Sequence, residues 1–370
     1  MAIQKVSGVT IGLTNDAEGD IMFHNGTDWV RLEKGEAGEV LTVNEIGTLP
    51  VWGASTACEY AGHYGSRGVY GGFGDSPNSD RIAYINPQTL GNPTYFGDLT
   101  VSRSIMGAVS NVTRGIFGGG HDGPIPSGES GTIDYITIGT LGNATDFGDL
   151  TVARVTQSFN GNSCQNVKAV GNCTRGVFGG GGSAPNTNPT AHINDILDYI
   201  TIATPGNAID FGDLTSPRYA VAACSNRESR GLFAGGWYSG GTGMIDYIDI
   251  DTLGNAADFG DLSAARAIAS GTDSQSGRGI FVGGYLASNI IDFVTISTLG
   301  NAADFGDLTV ARGYAGALSD GSRGVFAGGS SGSNQTKDEM DYVEINTLGN
   351  ALDFGDLYDT SLGLSGLSGN

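Results

Sequence analysis

The amino-acid sequence predicts an all-β fold, a six-bladed β-propeller that follows a short N-terminal β-rich segment. Three observations predict it. A unit of 45 to 64 residues recurs six times, every unit contains short runs rich in β-branched and aromatic residues, and the glycines between these runs exclude long helices. The period is too long for a leucine-rich or ankyrin repeat and fits one four-stranded blade.

Two sequence marks delimit the units. Each unit opens with an arginine that precedes a glycine, at Arg67, Arg114, Arg175, Arg230, Arg278 and Arg323. Each unit closes with FGDL, whose phenylalanines are Phe96, Phe147, Phe211, Phe259, Phe305 and Phe354. The units occupy residues 54–357, which we expect to form one cooperative domain. Residues 1–53 then form a separate segment, and residues 358–370 form a Gly/Ser-rich C-terminal tail.

Each unit is predicted to supply four strands, a to d, in chain order. In the second unit, strand a follows Arg103 in SIMGAVS, strand b is RGIFGGG, strand c is IDYITI and strand d is ATDFGDL. The Gly-Asn pair of the TLGN turn between c and d supplies the positive φ of a tight hairpin. We expect a closed ring with strand a innermost and contiguous blades, although residues 358–370 could add a strand instead.

Charge and composition exclude several classes of partner. The net charge of -21 disfavours binding to nucleic acid, which requires clustered Lys and Arg. No signal-like N-terminus and no run of ~20 apolar residues is present, so we expect no membrane insertion. The four cysteines are too scattered for a disulfide framework or a CxxC zinc site. Cys164 and Cys173 flank one loop, and the sequence leaves their pairing open.

The repeated charges are interpreted as structural. A residue that recurs in every blade serves what every blade shares, which is the joining of strands and turns by charge-assisted hydrogen bonds. A functional site on a repeat scaffold is expected in what the repeats do not share. The residues assigned to this structural set are Arg114, Arg175, Arg230, Arg278, Arg323, Asp149, Asp213, Asp261 and Asp307.

The loops between strands b and c differ most from unit to unit. They are rich in Ser, Asn, Gly and Pro with isolated aromatics, a mixture suited to polar and stacking recognition of a glycan or a protein surface. A further insertion of about ten residues around Cys164 to Cys173 is assigned to the a to b turn of the third unit. The candidate contact residues are Trp237, Tyr238 and Tyr285, together with His121 beside Asp122 and His192 near Asp195.

Catalysis has no support in the sequence. It contains only four histidines and no cysteine beside a fixed histidine, so the nucleophile constellations have no support. No ligand set fixes a metal, and no cofactor is expected. A carboxylate-based glycosidase stays open, because paired acids are recognised by their separation in space.

The order of residues within a unit resembles the kelch repeat. In the second unit the order is Gly119 and Gly120, Tyr135, Phe147 and Arg154. The same order holds in the fourth unit, at Gly235, Gly236, Tyr247, Phe259 and Arg266. Phenylalanine stands where kelch repeats usually have tryptophan, the first unit has Phe73 and Ala83 in place of a glycine and the acid, and the sixth lacks the closing arginine. The resemblance implies a β-propeller.

Residues 19–32 are predicted to form a hairpin about Asn25-Gly26, followed by short strands. A segment of this size buries too little surface to fold well alone. We therefore expect a homo-oligomer, with a trimer favoured, or docking on a larger assembly.

The same segment carries a longer motif, GD-hydrophobic-x-x-NGT-x-W-x-R-L followed by G-x-AG-x-VLTVN. Its residues are Gly19, Asp20, Asn25, Gly26, Thr27, Trp29, Arg31, Leu32, Gly35, Ala37, Gly38, Val40, Leu41, Thr42, Val43 and Asn44. The motif is similar to segments of tail fibres and related virion proteins of tailed bacteriophages. The units ending in GNAxDFGDLT-x-AR look like those of structural proteins of marine phages.

These resemblances imply a virion protein located in the phage tail or fibre. Residues 1–53 would bind other virion proteins, and the propeller would present its b to c loops to a glycan or protein receptor on the host. A purely architectural tail nozzle, baseplate or capsid-decoration protein is the alternative, and a glycan-degrading propeller enzyme is the third class. Strand a of the first unit would start on the same face as those loops, so residues 1–53 could crowd the recognition surface.

Overall fold

A computed structural model describes the chain in two compact units, residues 1–59 and 60–370. The described residues are 21–24, 29–32, 39–43, 50–54, 65–73, 79–122, 128, 130–154, 167–182, 193–267, 269–284, 288–331 and 335–369. Every regular element among them is a β-strand.

The N-terminal unit contains two antiparallel pairs of strands. Strand β1 (Ile21–His24) pairs with β2 (Trp29–Leu32), and β3 (Glu39–Val43) pairs with β4 (Pro50–Ala54). The hairpin predicted over residues 19–32 is therefore present as β1 and β2, while its turn residues lie outside the described part of the chain.

The larger unit is built from six four-stranded antiparallel sheets, the blades. Strands b to d of blade 1 are β5 (Arg67–Phe73), β6 (Arg81–Ile85) and β7 (Thr94–Asp98). Strands a to d of blade 2 are β8 (Gly107–Ser110), β9 (Arg114–Gly118), β10 (Thr132–Thr137) and β11 (Thr145–Asp149). Those of blade 3 are β12 (Lys168–Gly171), β13 (Arg175–Gly179), β14 (Ile196–Thr201) and β15 (Ile209–Asp213).

The remaining blades repeat this pattern. Strands a to d of blade 4 are β16 (Ala222–Ser225), β17 (Arg230–Ala234), β18 (Met244–Asp249) and β19 (Ala257–Asp261). Those of blade 5 are β20 (Ser270–Asp273), β21 (Arg278–Val282), β22 (Ile290–Thr295) and β23 (Ala303–Asp307). Those of blade 6 are β24 (Gly316–Ser319), β25 (Arg323–Ala327), β26 (Lys337–Glu344) and β27 (Leu352–Ser361).

The last strand of the chain completes blade 1. Strand β28 (Ser365–Gly369) pairs antiparallel with β5, so it is strand a of that blade. The expected tail at residues 358–370 and the expected contiguity of every blade are therefore wrong, and the alternative of an added strand holds. Strand β28 contacts both β24 and β8, and each other strand a contacts its two neighbours. The ring of six blades is closed with strand a innermost, as predicted.

The insertion in the third unit also lies elsewhere than expected. Strand a of blade 3 begins at Lys168, and the a to b turn after it is the short stretch 172–174. The inserted residues thus precede strand a, in the link from strand d of blade 2. The error arose because a strand a is short and rich in small residues, so its position has little hydrophobic signal.

Hydrophobic clusters fill the spaces between neighbouring blades. One of them joins Val109 and Phe147 of blade 2 to Phe178 of blade 3. Glycine at the end of strand b makes room for such a ring, because a Cβ at Gly118 would lie 2.6 Å from the Phe178 ring. Close packing of this kind holds the blades in a rigid ring.

Candidate functional site

The opening arginine of each blade stacks on the aromatic ring of its own strand c. The guanidinium carbon lies 4.4 to 4.8 Å from the ring centroid in all six blades, on Tyr84, Tyr135, Tyr199, Tyr247, Phe293 and Tyr342. The Nη1 atom then donates at 2.6 to 3.1 Å to a carbonyl oxygen of the next blade, at Ile138, Ile202, Ile250, Ile296, Ile345 and Pro87. These arginines join neighbouring blades through cation–π and hydrogen-bond contacts.

The FGDL aspartates join the blades through their main chain. Each backbone N–H donates at 3.0 to 3.2 Å to the side-chain oxygen of the asparagine in the next blade's c to d turn, at Asn143, Asn207, Asn255, Asn301, Asn350 and Asn92. The FGDL glycine is required beside it, because a Cβ at Gly148 would lie 2.5 Å from the Gly206 carbonyl oxygen. The carboxylates of Asp149, Asp213, Asp261 and Asp307 are exposed or half-buried.

The buried ion pairs of the propeller involve a different set of repeated residues. The arginine before strand a pairs with the aspartate before the aromatic of strand c, as Arg103–Asp134, Arg154–Asp198, Arg218–Asp246, Arg266–Asp292 and Arg312–Asp341. Four of these pairs have N···O distances of 2.8 or 2.9 Å. A hydroxyl from the d to a link also donates to each carboxylate, from Thr100, Thr151, Thr215, Ser263 and Thr309.

The list of structural residues drawn from the sequence does not name these pairs, although both partners recur in five units. Burial lowers the pKa of the Arg266 guanidinium, while the Asp292 carboxylate opposes that shift. A buried guanidinium of this kind depends on its carboxylate partner. The repeated charges are thus engaged in contacts within and between blades.

The strand directions give the propeller two faces. The loop face carries the b to c loops and the d to a links, and the turn face carries the a to b and c to d turns. The chain enters the propeller at Arg67, the first residue of a strand b, which lies on the turn face. Strand β28 ends on the same face, where Gly369 pairs with Arg67. The differences between blades are concentrated on the loop face, which is opposite the point of entry.

Trp237 belongs to an aromatic cluster on the loop face. Its ring and those of Tyr219 and Tyr314 are partly buried and pack on Ala220 and Ala267. The backbone of Trp237 forms a bridge with that of Tyr219. Ala220 and Tyr314 have φ values of 57° and 61°, a strained conformation for non-glycine residues. The cluster therefore rests on a backbone that the surrounding structure holds in place.

The other candidate residues do not share one environment. Tyr238 follows Trp237 in the b to c loop of blade 4 and is 52% exposed. His121 is buried, and its backbone pairs with Ser104, whereas Asp122 is exposed. Tyr285 and His192 lie outside the described residues.

Asp195 contributes to the backbone hydrogen bonding of blade 3. Its carbonyl oxygen accepts a hydrogen bond from Leu214 N at 2.7 Å. Desolvation raises the pKa of the nearby Asp213 carboxyl, and the Asp195 charge raises it further. Groups of three or more His, Cys, Asp or Glu that could hold a metal are absent from the described stretches.

A narrow pore runs along the axis of the ring. The second residue of every strand a lines it, and all six are small: Ala108, Ala169, Ala223, Gly271, Ala317 and Gly366. These six residues form the narrowest part of the pore, which we call the waist. The waist separates a cavity of about 40 Å³ at the loop face from a cavity of about 60 Å³ at the turn face. Each exceeds the ~10–15 Å³ that one water requires.

The two cavities differ in charge. Lys168, the first residue of strand a in blade 3, lines the cavity at the loop face. Arg227 and Asp273 line the cavity at the turn face, with an Nε to Oδ1 distance of 3.2 Å. Sequence reasoning missed Lys168, because a single lysine without a pattern gives no signal until the ring places it on the axis.

The turn face carries a repeated apolar feature. The leucine of the c to d turn is 53 to 57% exposed in five blades, at Leu90, Leu141, Leu253, Leu299 and Leu348. Pro205 takes this position in blade 3. The turn face therefore carries a regular set of exposed apolar side chains, spaced singly around the ring.

No known family model matches the sequence, and comparison with curated proteins gives no significant match. Within the described residues, no helix is long and apolar enough to cross a membrane. Cys224 is free and buried, and Cys173 is disulfide-bonded. The sequence left the pairing of Cys173 with Cys164 open, and Cys164 lies outside the described residues.

Proposed function

We propose that this chain is a structural protein of a tailed-bacteriophage virion, a tail fibre or tail-associated component that binds a receptor on the host surface. The phage assignment comes from the N-terminal motif and from the kelch-like units. Residues 1–53 attach the chain to other virion proteins, in a homo-oligomer for which we favour a trimer. The propeller is the receptor-binding part, and its role is binding, not catalysis.

The observation that supports recognition is the separation of the two faces. Closure by β28 places the entry of the chain on the turn face. The sequence predicted that the first blade starts on the loop face, whereas β5, its first strand in chain order, begins on the turn face. The loop face presents Tyr238 and the partly buried Trp237, and aromatic rings of this kind stack on sugar rings or pack on protein surfaces.

The leucines of the turn face favour a second function, the architectural one. A partner in a tail nozzle, baseplate or capsid would cover five exposed leucines spaced around the ring. This contact and receptor binding use opposite faces, so one particle can use both. The glycan-degrading alternative has no specific observation in its favour among the described residues, and we do not propose it.

The first experiment asks whether the chain is in the particle. Immunogold labelling and mass spectrometry of particles produced from the genome that encodes this chain should detect it in the tail. Deletion of residues 1–53 should abolish incorporation while the propeller still folds. Purified particles that lack the chain would overturn the virion proposal.

The second experiment separates recognition from architecture. Trp237→Ala with Tyr238→Ala should spare assembly and weaken adsorption to the host. Tyr95→Ala is the matched control, because Tyr95 is 51% exposed on the outer strand of blade 1. Leu299→Asp with Leu348→Asp should instead reduce assembly if the turn face is covered. An alanine pair at 237 and 238 that blocks assembly would favour the architectural role and reject receptor binding on the loop face.

A further inference from the structure

Among the described residues, Lys168 is the one cationic side chain that lines the loop-face cavity of the pore. It lies in this cavity together with Met106, Ser365 and the small residues of the waist, and none of the described lining residues is a carboxylate. The Ser365 hydroxyl donates to the Met106 carbonyl oxygen at 2.6 Å. Among the described residues, the Lys168 side chain has no hydrogen-bond or ion-pair partner. Its ammonium group therefore has three N–H donors available to a ligand.

Burial without a counter-ion changes the pKa of the Lys168 amine. Desolvation lowers the pKa of the Lys168 amine to about 8. At neutral pH the amine is still largely protonated, so a positive charge is held in a confined space by a side chain that is half-buried. Removing a charge from water costs free energy unless a partner of opposite sign compensates it. An anion in the cavity would supply that partner.

The size of the cavity limits what can enter it. Its volume of about 40 Å³ is several times the ~10–15 Å³ that one water requires. That space suits a carboxylate or a sulfate group and does not suit a whole sugar ring. A larger ligand would insert only its acidic group, and the rest of the molecule would remain outside on the loop face, where Tyr219, Trp237 and Tyr314 lie.

We propose that the loop-face end of the pore is an anion site in which Lys168 binds the carboxylate or sulfate group of a ligand. The acidic group comes from a free anion or from an acidic sugar of a surface glycan. The glycan source rests on the proposed receptor-binding function, whereas the anion site itself does not depend on it.

The test titrates the full-length protein with sodium sulfate and with sodium acetate at constant ionic strength by calorimetry. Both anions are fully ionised at pH 6.5 and at pH 9.5, so a change in affinity reports the protein and not the probe. With a lysine pKa of about 8, the affinity should fall about 30-fold between these values, following the protonated fraction. Binding that does not change with pH, or no binding at either pH, would overturn the site.

Three variants assign the effect to this side chain. Lys168→Met should abolish binding at both pH values. Lys168→Arg should keep binding at pH 9.5, because a guanidinium stays charged there. Lys337→Met is the matched control, because Lys337 lies in blade 6 with Glu339 3.6 Å away, and it should bind as the original chain does. Circular dichroism verifies that each variant is folded, and unchanged binding by the Lys168→Met variant would refute the assignment.

A second arm identifies the source of the anion. A disaccharide ending in a uronic acid is compared with its neutral counterpart and with acetate. Tighter binding of the acidic disaccharide than of acetate indicates a glycan ligand, and binding of acetate alone indicates a free anion. If Lys168 binds anions but Lys168→Met leaves host adsorption unchanged, the pore site stands and its role in receptor binding fails.

Discussion

Ser361 and Ala83 occupy, for blade 1, the positions of the buried arginine and aspartate that pair in each of the other five blades. Blade 1 is the blade in which the ring closes. Ser361 lies four residues before strand β28, as Arg312 lies four residues before β24. Its carbonyl oxygen accepts a hydrogen bond from Gly329 N, as that of Arg312 does from Gly284 N. Ala83 pairs with Tyr70 as Asp341 pairs with Phe326. Both charges are absent together, so neither is left buried and unpaired.

We expect the charge pair to be transferable to this closure. Ala83→Asp alone and Ser361→Arg alone should each destabilise the propeller by about 3 kcal/mol, because each buries one unpaired charge. The double variant should be more stable than the sum of the single losses predicts, since the two groups then compensate each other. Urea unfolding of all four chains measures the coupling, and strictly additive losses would show that the two positions do not meet.

Removing one partner from a complete pair elsewhere in the ring should also destabilise the propeller, because it leaves a buried charge unpaired. Arg266→Ala removes the partner of the buried Asp292 carboxylate, and we expect a loss on the order of 3 kcal/mol. Arg81→Ala is the control, because Arg81 forms a surface pair with Asp359 and its side chain is 51% exposed. Exposed pairs contribute about 0 to 1 kcal/mol. Equal melting temperatures for the original chain and the Arg266 variant would contradict the structural role.

The closing strand should be essential to the fold. Ending the chain after Ser361 removes β28, which leaves β5 unpaired and opens the ring between β24 and β8. It also removes Leu367, which is buried at 3% exposure between blades 1 and 2. We expect a large fall in melting temperature and loss of hydrogen-exchange protection in blade 1. Removal of Asn370 alone is the control, and a shortened chain as stable as this control would argue against closure by β28.

The number of blades and the order of their strands were predictable from the sequence, because the same pattern of four strands recurs in all six units. The closure was not predictable from the same pattern. Residues 55–66 are rich in Ala, Gly and Ser, residues 358–370 are rich in Gly and Ser, and either segment could supply a short strand a. Only the pairing of β28 with β5 decides between them, and that pairing joins opposite ends of the repeat region.

The candidate site was predictable in part. The b to c loops differ in sequence from unit to unit, and this difference predicted the loop face as the candidate site and Tyr238 as a contact residue. Tyr238 is exposed on that face. The pairing of Arg266 with Asp292 was less evident, because the two lie in different segments that the fold brings together. Lys168 had no signal at all, since its meaning depends on the ring that encloses it.

Lys168 should make the stability of the propeller depend on pH. Its pKa is lowered by burial from 10.5 to about 8, so the unfolded chain binds more protons than the folded chain between these values. Stability should therefore rise with pH from about 8 to 10.5, and the cost of the buried charge is fully present below that window.

Lys168→Met removes this cost, so at pH 7 the variant should be more stable than the original chain. A shift of this size corresponds to at most about 3 kcal/mol, and the difference should shrink towards pH 10.5 because the amine is then neutral in both states. The measurement is the difference in unfolding free energy between the two chains at each pH, in which the titration of all other groups cancels. Sulfate at pH 7 should stabilise the original chain more than the variant, because sulfate stabilises folded proteins in general and only the original chain has a lysine at the loop-face cavity. A stability difference that stays constant from pH 7 to 10.5 would show that Lys168 is well hydrated, and the anion site would lose its physical basis.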